Sequence, residues 1–87
     1  MRADQILPDD ASHGEFRGVT VRKGTVAAFL ANARTWTRAD AGADEREQAR
    51  AQIAEDVPAL RALGLFEVLE IRDEGLRRLV DGLSLEM

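Results

Sequence analysis

The chain contains no cysteine. Disulfide scaffolds, thiolate zinc sites and thiol nucleophiles are therefore excluded. Histidine occurs once, at His13, too few for a histidine-built metal site or a histidine-centred triad. No catalytic residue, metal ligand or cofactor is expected. No apolar run approaches the roughly 20 residues of a membrane span, and the opening "MRADQILPDD" lacks the apolar core of a signal peptide. The reading is a cytoplasmic, bacterial-type protein without membrane association. All but one of its 12 basic residues are arginine and alanine is abundant, which points to a GC-rich coding genome rather than to a mechanism.

What is present suits one small folded domain. The 87 residues, 45% hydrophobic and 32% charged, can bury a core of limited size, so modest stability is expected unless surface is also buried against a partner. The net charge of −4 is unevenly spread. Residues 15–38 set Arg17, Arg22, Lys23, Arg34 and Arg38 against Glu15 alone, whereas residues 39–87 hold twice as many acids as arginines. Such polarity favours docking by charge complementarity, including self-association. The acidic total weighs against nonspecific nucleic-acid binding, which needs many phosphate-neutralising cations.

Residues 1–14 read as a mobile arm, with Pro8-Asp9-Asp10 and His13-Gly14 as turn material and a short apolar anchor at Ile6 and Leu7. His13 is expected to be exposed. "EFRGVTVRK" reads as a half-exposed strand, with Gly18 marking a bulge or the turn of a short hairpin from Phe16. Thr25 is expected to cap a helix whose buried stripe is Val26, Phe29, Leu30 and Ala33. After the loop "RADAGAD", Asp44 caps a surface helix touching the core through Ala49, Ile53 and Val57. Pro58 breaks it, so "DVPALRALG" reads as a fresh helix ending at Gly64. "LFEVLEIR" reads as a second strand, and Asp73 caps a last helix striped by Leu76, Leu79, Val80 and Leu83. Its other face carries Glu74, Arg77 and Arg78 at pairing distance. The expected fold is a small α+β domain over 15–87, of order β-α-α-α-β-α, with a short two- or three-stranded antiparallel sheet packed on helices.

The nearest approach to a functional motif is "GVTVRKGT", which suggests a phosphate-binding loop. That loop needs its lysine after the second glycine, where it reaches the phosphates. Here Lys23 precedes Gly24, and Val19, Thr20 and Val21 favour strand over a nest of amides. The motif therefore reads as a strand, a glycine turn and a helix start, flanked by cations that could hold at most a lone anion near Gly24-Thr25. The carboxylates, from Asp44 to Glu74, suit helix starts and solvated faces, and none has calcium-loop spacing. Asn32 lies one position from the apolar stripe, placed to bond a neighbouring backbone group or to line a small site. Trp36, the sole tryptophan, either packs at the helix end or anchors an interface. A winged-helix reading of residues 56–80 finds too few exposed cations in its recognition segment.

Through "KGTVAAFLANAR" and "VPALRALGLF" the chain resembles a family of short bacterial proteins. Gly24-Thr25-Val26-Ala27, the Asn32 and Arg34 pair, Val57-Pro58, Leu60 and Gly64-Leu65-Phe66 match that pattern in order and spacing. The likeness spans roughly residues 16–66 and ends where this chain continues "EVLEIRDEGLRRL". Some members carry a protein-translocase label, which no apolar segment here supports. The family has no established activity, so no residue role carries over.

These readings converge on a small acidic protein-interaction module that is not an enzyme and that partners protein, itself first. The candidate surface is Arg22, Lys23, Asn32, Arg34, Trp36 and Arg38. One alternative is a regulatory nucleic-acid binder using Arg17, Arg22, Lys23, Arg34 and Arg38 as phosphate contacts. Another is a phage or anti-defence protein that presents its acidic face to a nucleic-acid-handling enzyme.

Overall fold

Among the described residues, a β-hairpin leads into four helices. The computed structural model of the chain describes residues 13–16 and 18–83. The expectations for residues 1–12, for Arg17 and for residues 84–87 lie outside the described residues. Strand β1, His13–Phe16, pairs antiparallel with β2, Val19–Arg22, and Gly14 faces Val21 in register. The connection is only two residues long, and Gly18 sits at φ 79°, a left-handed conformation that glycine adopts without steric cost. Gly18 thus makes a hairpin turn rather than a bulge. His13 and Gly14, read as turn material in the sequence, are strand residues. Val21 is buried while Thr20 and Arg22 are exposed, the alternation of a strand with one wet face.

Helix α1 spans Thr25–Thr37. Thr25 is its first helical residue and not its cap. Gly24, at φ 88°, holds the cap position, and the Thr25 hydroxyl donates backwards to the Arg22 carbonyl at 2.6 Å. The buried stripe is also rotated from the expected one. Phe29 and Ala33 are inside with Trp36 partly buried beside them, whereas Val26 and Leu30 are exposed. A stripe centred on Phe29, Ala33 and Trp36 leaves Leu30 about a quarter turn from the core.

Helix α2, Ala43–Leu63, is continuous for 21 residues and passes straight through Pro58. Proline removes one hydrogen bond and crowds the carbonyl four residues earlier. Because Pro58 is exposed, water can satisfy the carbonyl left open. Gly42, not Asp44, stands at the N-cap, and Asp44 and Glu45 fill the first turn, where acids oppose the helix dipole. Rather than touching the core along one edge, α2 is the spine of the domain. Ile53, Val57 and Leu60 are fully buried, and the hairpin, α1 and the later helices all pack on it. Gly64 ends it at φ 84°, its N–H bonding the Arg61 and Leu60 carbonyls, as the sequence suggested.

The expected second strand is absent. Leu65–Val68 forms a single helical turn, α3, closed by the Leu69 N–H on the Leu65 carbonyl at 2.9 Å. This turn lets Leu65 and Phe66, adjacent in sequence, both reach the core, and Phe66 meets Phe29 edge-on at 6.2 Å between ring centroids. An alternating strand would send the two to opposite faces. Leu69–Arg72 then runs without regular structure to α4, Glu74–Leu83. Asp73 caps α4 as expected, accepting the Leu76 N–H at 2.8 Å. The core joins Phe29, Ala33, Ile53, Val57, Leu60, Leu76 and Val80 into one cluster. The architecture is a small α+β domain.

Candidate interaction surfaces

The residues singled out in the sequence do not gather at one place. Arg22 and Lys23 precede α1, while Trp36 and Arg38 lie at its far end, about 18 Å away at 1.5 Å per helical residue. At the near end, Arg22 lines a cleft of about 380 Å³ between the hairpin and α2, together with Thr20, Gln52, Glu55 and Asp56. One buried carboxylate oxygen there, Oδ2 of Asp56, has no hydrogen-bond partner. Loss of water around that carboxyl raises its pKa, and the neighbouring Glu55 charge raises it further.

Along the middle of α1, Asn32 donates to the Ala28 carbonyl at 3.0 Å, and Thr35 does the same to Ala31 at 3.2 Å. Both line a cleft of about 450 Å³ against Glu45, Gln48 and Gln52 of α2. Asn32 thus makes the backbone bond that was one of its two alternative readings. At the far end, Arg38 is fully engaged. It contacts Asp40 at 2.8 Å and Glu45 at 2.7 Å, and Arg46 bonds its carbonyl at 2.9 Å. The hydrogen bond to Glu45 is the main reason its pKa is raised. Arg38 therefore locks the α1–α2 corner. Trp36 is half-buried against the core cluster that includes Leu76 of α4, and its ring edge borders the space that a side chain at Gly75 would fill. Arg34 is exposed nearby.

A third cleft, of about 390 Å³, lies between α3, the Leu69–Arg72 segment and α4. The three clefts are of similar size, so volume does not choose among them. Exposure of apolar side chains does. Val68 is 84% exposed and Leu69 57% exposed, side by side on the rim of this groove. Its lining mixes Phe66, Ile71 and Val80 with Glu67 and Asp81, and Arg61 reaches from α2 to donate to the Val80 carbonyl at 2.7 Å. Arg77 pairs with Glu70 at 3.0 Å on the outer wall.

The same segment has open backbone. The Leu69 N–H turns back to Leu65 and the Asp73 carbonyl accepts Arg77. Between them the peptide groups of Glu70, Ile71 and Arg72 make no hydrogen bond among the described residues. The Arg72 side chain is exposed and has no ion pair there either. Sequence reasoning missed this surface because it read residues 65–72 as a strand, which places Val68 and Leu69 on opposite faces. The available signal was two adjacent branched residues, Val68 and Leu69, which no strand can bury on a single face.

Among the described residues no three acidic or histidine side chains gather as metal ligands, and no helix is long and apolar enough to cross a membrane. No family model, curated protein or solved structure matches the chain.

Proposed function

We propose that the chain is a cytoplasmic protein-interaction module that self-associates, using the rim of Val68 and Leu69 and the groove beside it as the contact face. The observation that carries this reading is the adjacent exposure of those two side chains, 84% and 57%, beside a groove whose lining mixes apolar Phe66 and Ile71 with charged side chains. A small domain with a limited core stabilises such a surface most readily by burying it against another protein. The α1 surface favoured by the sequence is a weaker candidate, because Arg38 is consumed by Asp40 and Glu45 and Trp36 is half-buried against the core cluster. Nucleic-acid binding has less support. Its winged-helix form needs a strand over 65–71, where the chain makes a helical turn.

Light scattering coupled to size exclusion, run over a concentration series, tests the proposal. The expected result is a mass that rises from monomer towards dimer, and a Leu69→Asp variant that stays monomeric with an unchanged circular dichroism spectrum. A monomer at every concentration, up to the solubility limit, overturns self-association.

A further inference from the structure

We infer that two copies associate by antiparallel pairing of residues 70–72 about a two-fold axis at Ile71, so that Glu70 of each copy lies opposite Arg72 of the other. The inference rests on the self-association proposed above and specifies its geometry.

Three observations lead to it. The peptide groups of Glu70, Ile71 and Arg72 are unbonded among the described residues, and Leu69 enters the segment in extended backbone, at φ −115° and ψ 143°. An open edge of this type is a template for another strand. The segment also has strand chemistry, with β-branched Ile71 between two long side chains. Finally, its charges are self-complementary in a single register. With Ile71 on the axis, an exposed glutamate meets an exposed arginine twice, and Arg72, which has no ion pair among the described residues, gains a partner. Cross-strand opposite charges stabilise such pairs and like charges directly opposite destabilise them.

Backbone direction fits the same register. In a strand, the N–H and C=O groups of successive residues point to opposite edges. Leu69 turns its N–H inwards to Leu65, so Glu70 and Arg72 offer theirs outwards. Alternate residues of an antiparallel ladder exchange both bonds, so Glu70 bonds Arg72 of the other copy and Ile71 occupies the non-bonded position. Val68 and Leu69 then lie at the margin of the pair, where each copy can cover the groove of the other. Three residues per copy form a small contact, at the weak end of specific interfaces, so association on the order of micromolar or weaker is expected.

The test compares self-association of the parent chain with Glu70→Arg, Arg72→Glu and the double variant carrying both. Each single change places like charges opposite each other twice and is expected to weaken the dimer about tenfold. The double variant restores opposite charges across the pair and recovers the parental affinity. Loss of the Glu70–Arg77 pair within one copy cannot be rescued in this way, which separates the intermolecular role from a local one. A second arm uses the absence of cysteine. Directly opposed Cα atoms lie about 5.5 Å apart, within disulfide reach, whereas Glu70 to its own symmetry mate is about 9 Å, beyond it. Mixed Glu70→Cys and Arg72→Cys chains should therefore cross-link on oxidation, and each alone should not. A dimer with no rescue by the double variant and no mixed cross-link overturns this register while leaving self-association intact. A parent chain that is monomeric throughout overturns both.

Discussion

Arg61, on α2, donates a 2.7 Å hydrogen bond to the backbone carbonyl of Val80, on α4. It is a part-buried, charge-assisted bond between residues 19 apart, and it ties the last helix to the spine beside buried Leu60 and Val80. Hydrogen bonds to charged groups contribute about 1.5–3 kcal/mol. Arg61→Met keeps most of the stem's packing and removes the bond. It is expected to cost about 1–2 kcal/mol, a fall in Tm of roughly 5–15 °C for a domain of this size. Thermal unfolding followed by circular dichroism checks this. A change within experimental error would mean that α4 is held by its apolar stripe alone.

The start of α4 depends on one side chain. Asp73 accepts the Leu76 N–H at 2.8 Å, and its carbonyl accepts Arg77 at 2.9 Å. Replacing Asp73 with alanine leaves the helix start without its acceptor and should cost about 1 kcal/mol, whereas serine or asparagine should recover most of that. The measurement is urea unfolding of the three variants. Equal loss in all three would show that charge near the helix dipole, and not the hydrogen bond, is what matters at this position.

The caps at Asp73 and Gly64 were legible in the sequence, whereas the starts of α1 and α2 fall on Gly24 and Gly42 rather than on the neighbouring Thr25 and Asp44, whose side chains are of capping type. The buried line Ala49, Ile53, Val57 was legible too, because its spacing repeats regardless of neighbours. What escaped were choices decided by packing. Val26 and Leu30 have the same local pattern as Phe29 and Ala33, yet only the latter pair faces α2. "LFEVLEIR" has strand composition, but burying both Leu65 and Phe66 favours a helical turn. The exposed rim at Val68 and Leu69 follows from that turn, so the surface favoured here was hidden with it.

Pro58 was the other misleading signal, and it carries its own prediction. Its ring is exposed inside α2, in the last third of the helix, and in a helix interior proline is about 3 kcal/mol less favourable than alanine. Pro58→Ala restores an N–H able to bond the Ala54 carbonyl and removes the ring's clash. Part of the gain is offset by the greater freedom of the unfolded chain, about 0.4–1 kcal/mol. A net stabilisation of about 2 kcal/mol is expected, read as a higher denaturant midpoint with an unchanged slope. A lower midpoint would show that α2 requires a bend at this point.

The last prediction concerns Asp56, whose buried Oδ2 has no partner although Arg22 lines the same cleft. Burial, aided by the Glu55 charge, raises its pKa from the ordinary 3.8. The folded state therefore holds this proton more tightly than the unfolded chain does. Asp56 imposes no penalty below the unfolded pKa, and its penalty grows as pH rises through the higher folded value, then stays constant. Asp56→Asn removes the charge and keeps the shape. At pH 7 the variant should be more stable than the parent by up to about 1 kcal/mol, the low end for an unsatisfied buried group because the residue is only partly buried. At about pH 3, where the parent carboxyl is itself protonated, the difference should vanish. Denaturant unfolding of both proteins at the two pH values measures it. A variant less stable at pH 7 would place Asp56 in a favourable interaction with Arg22 across the cleft.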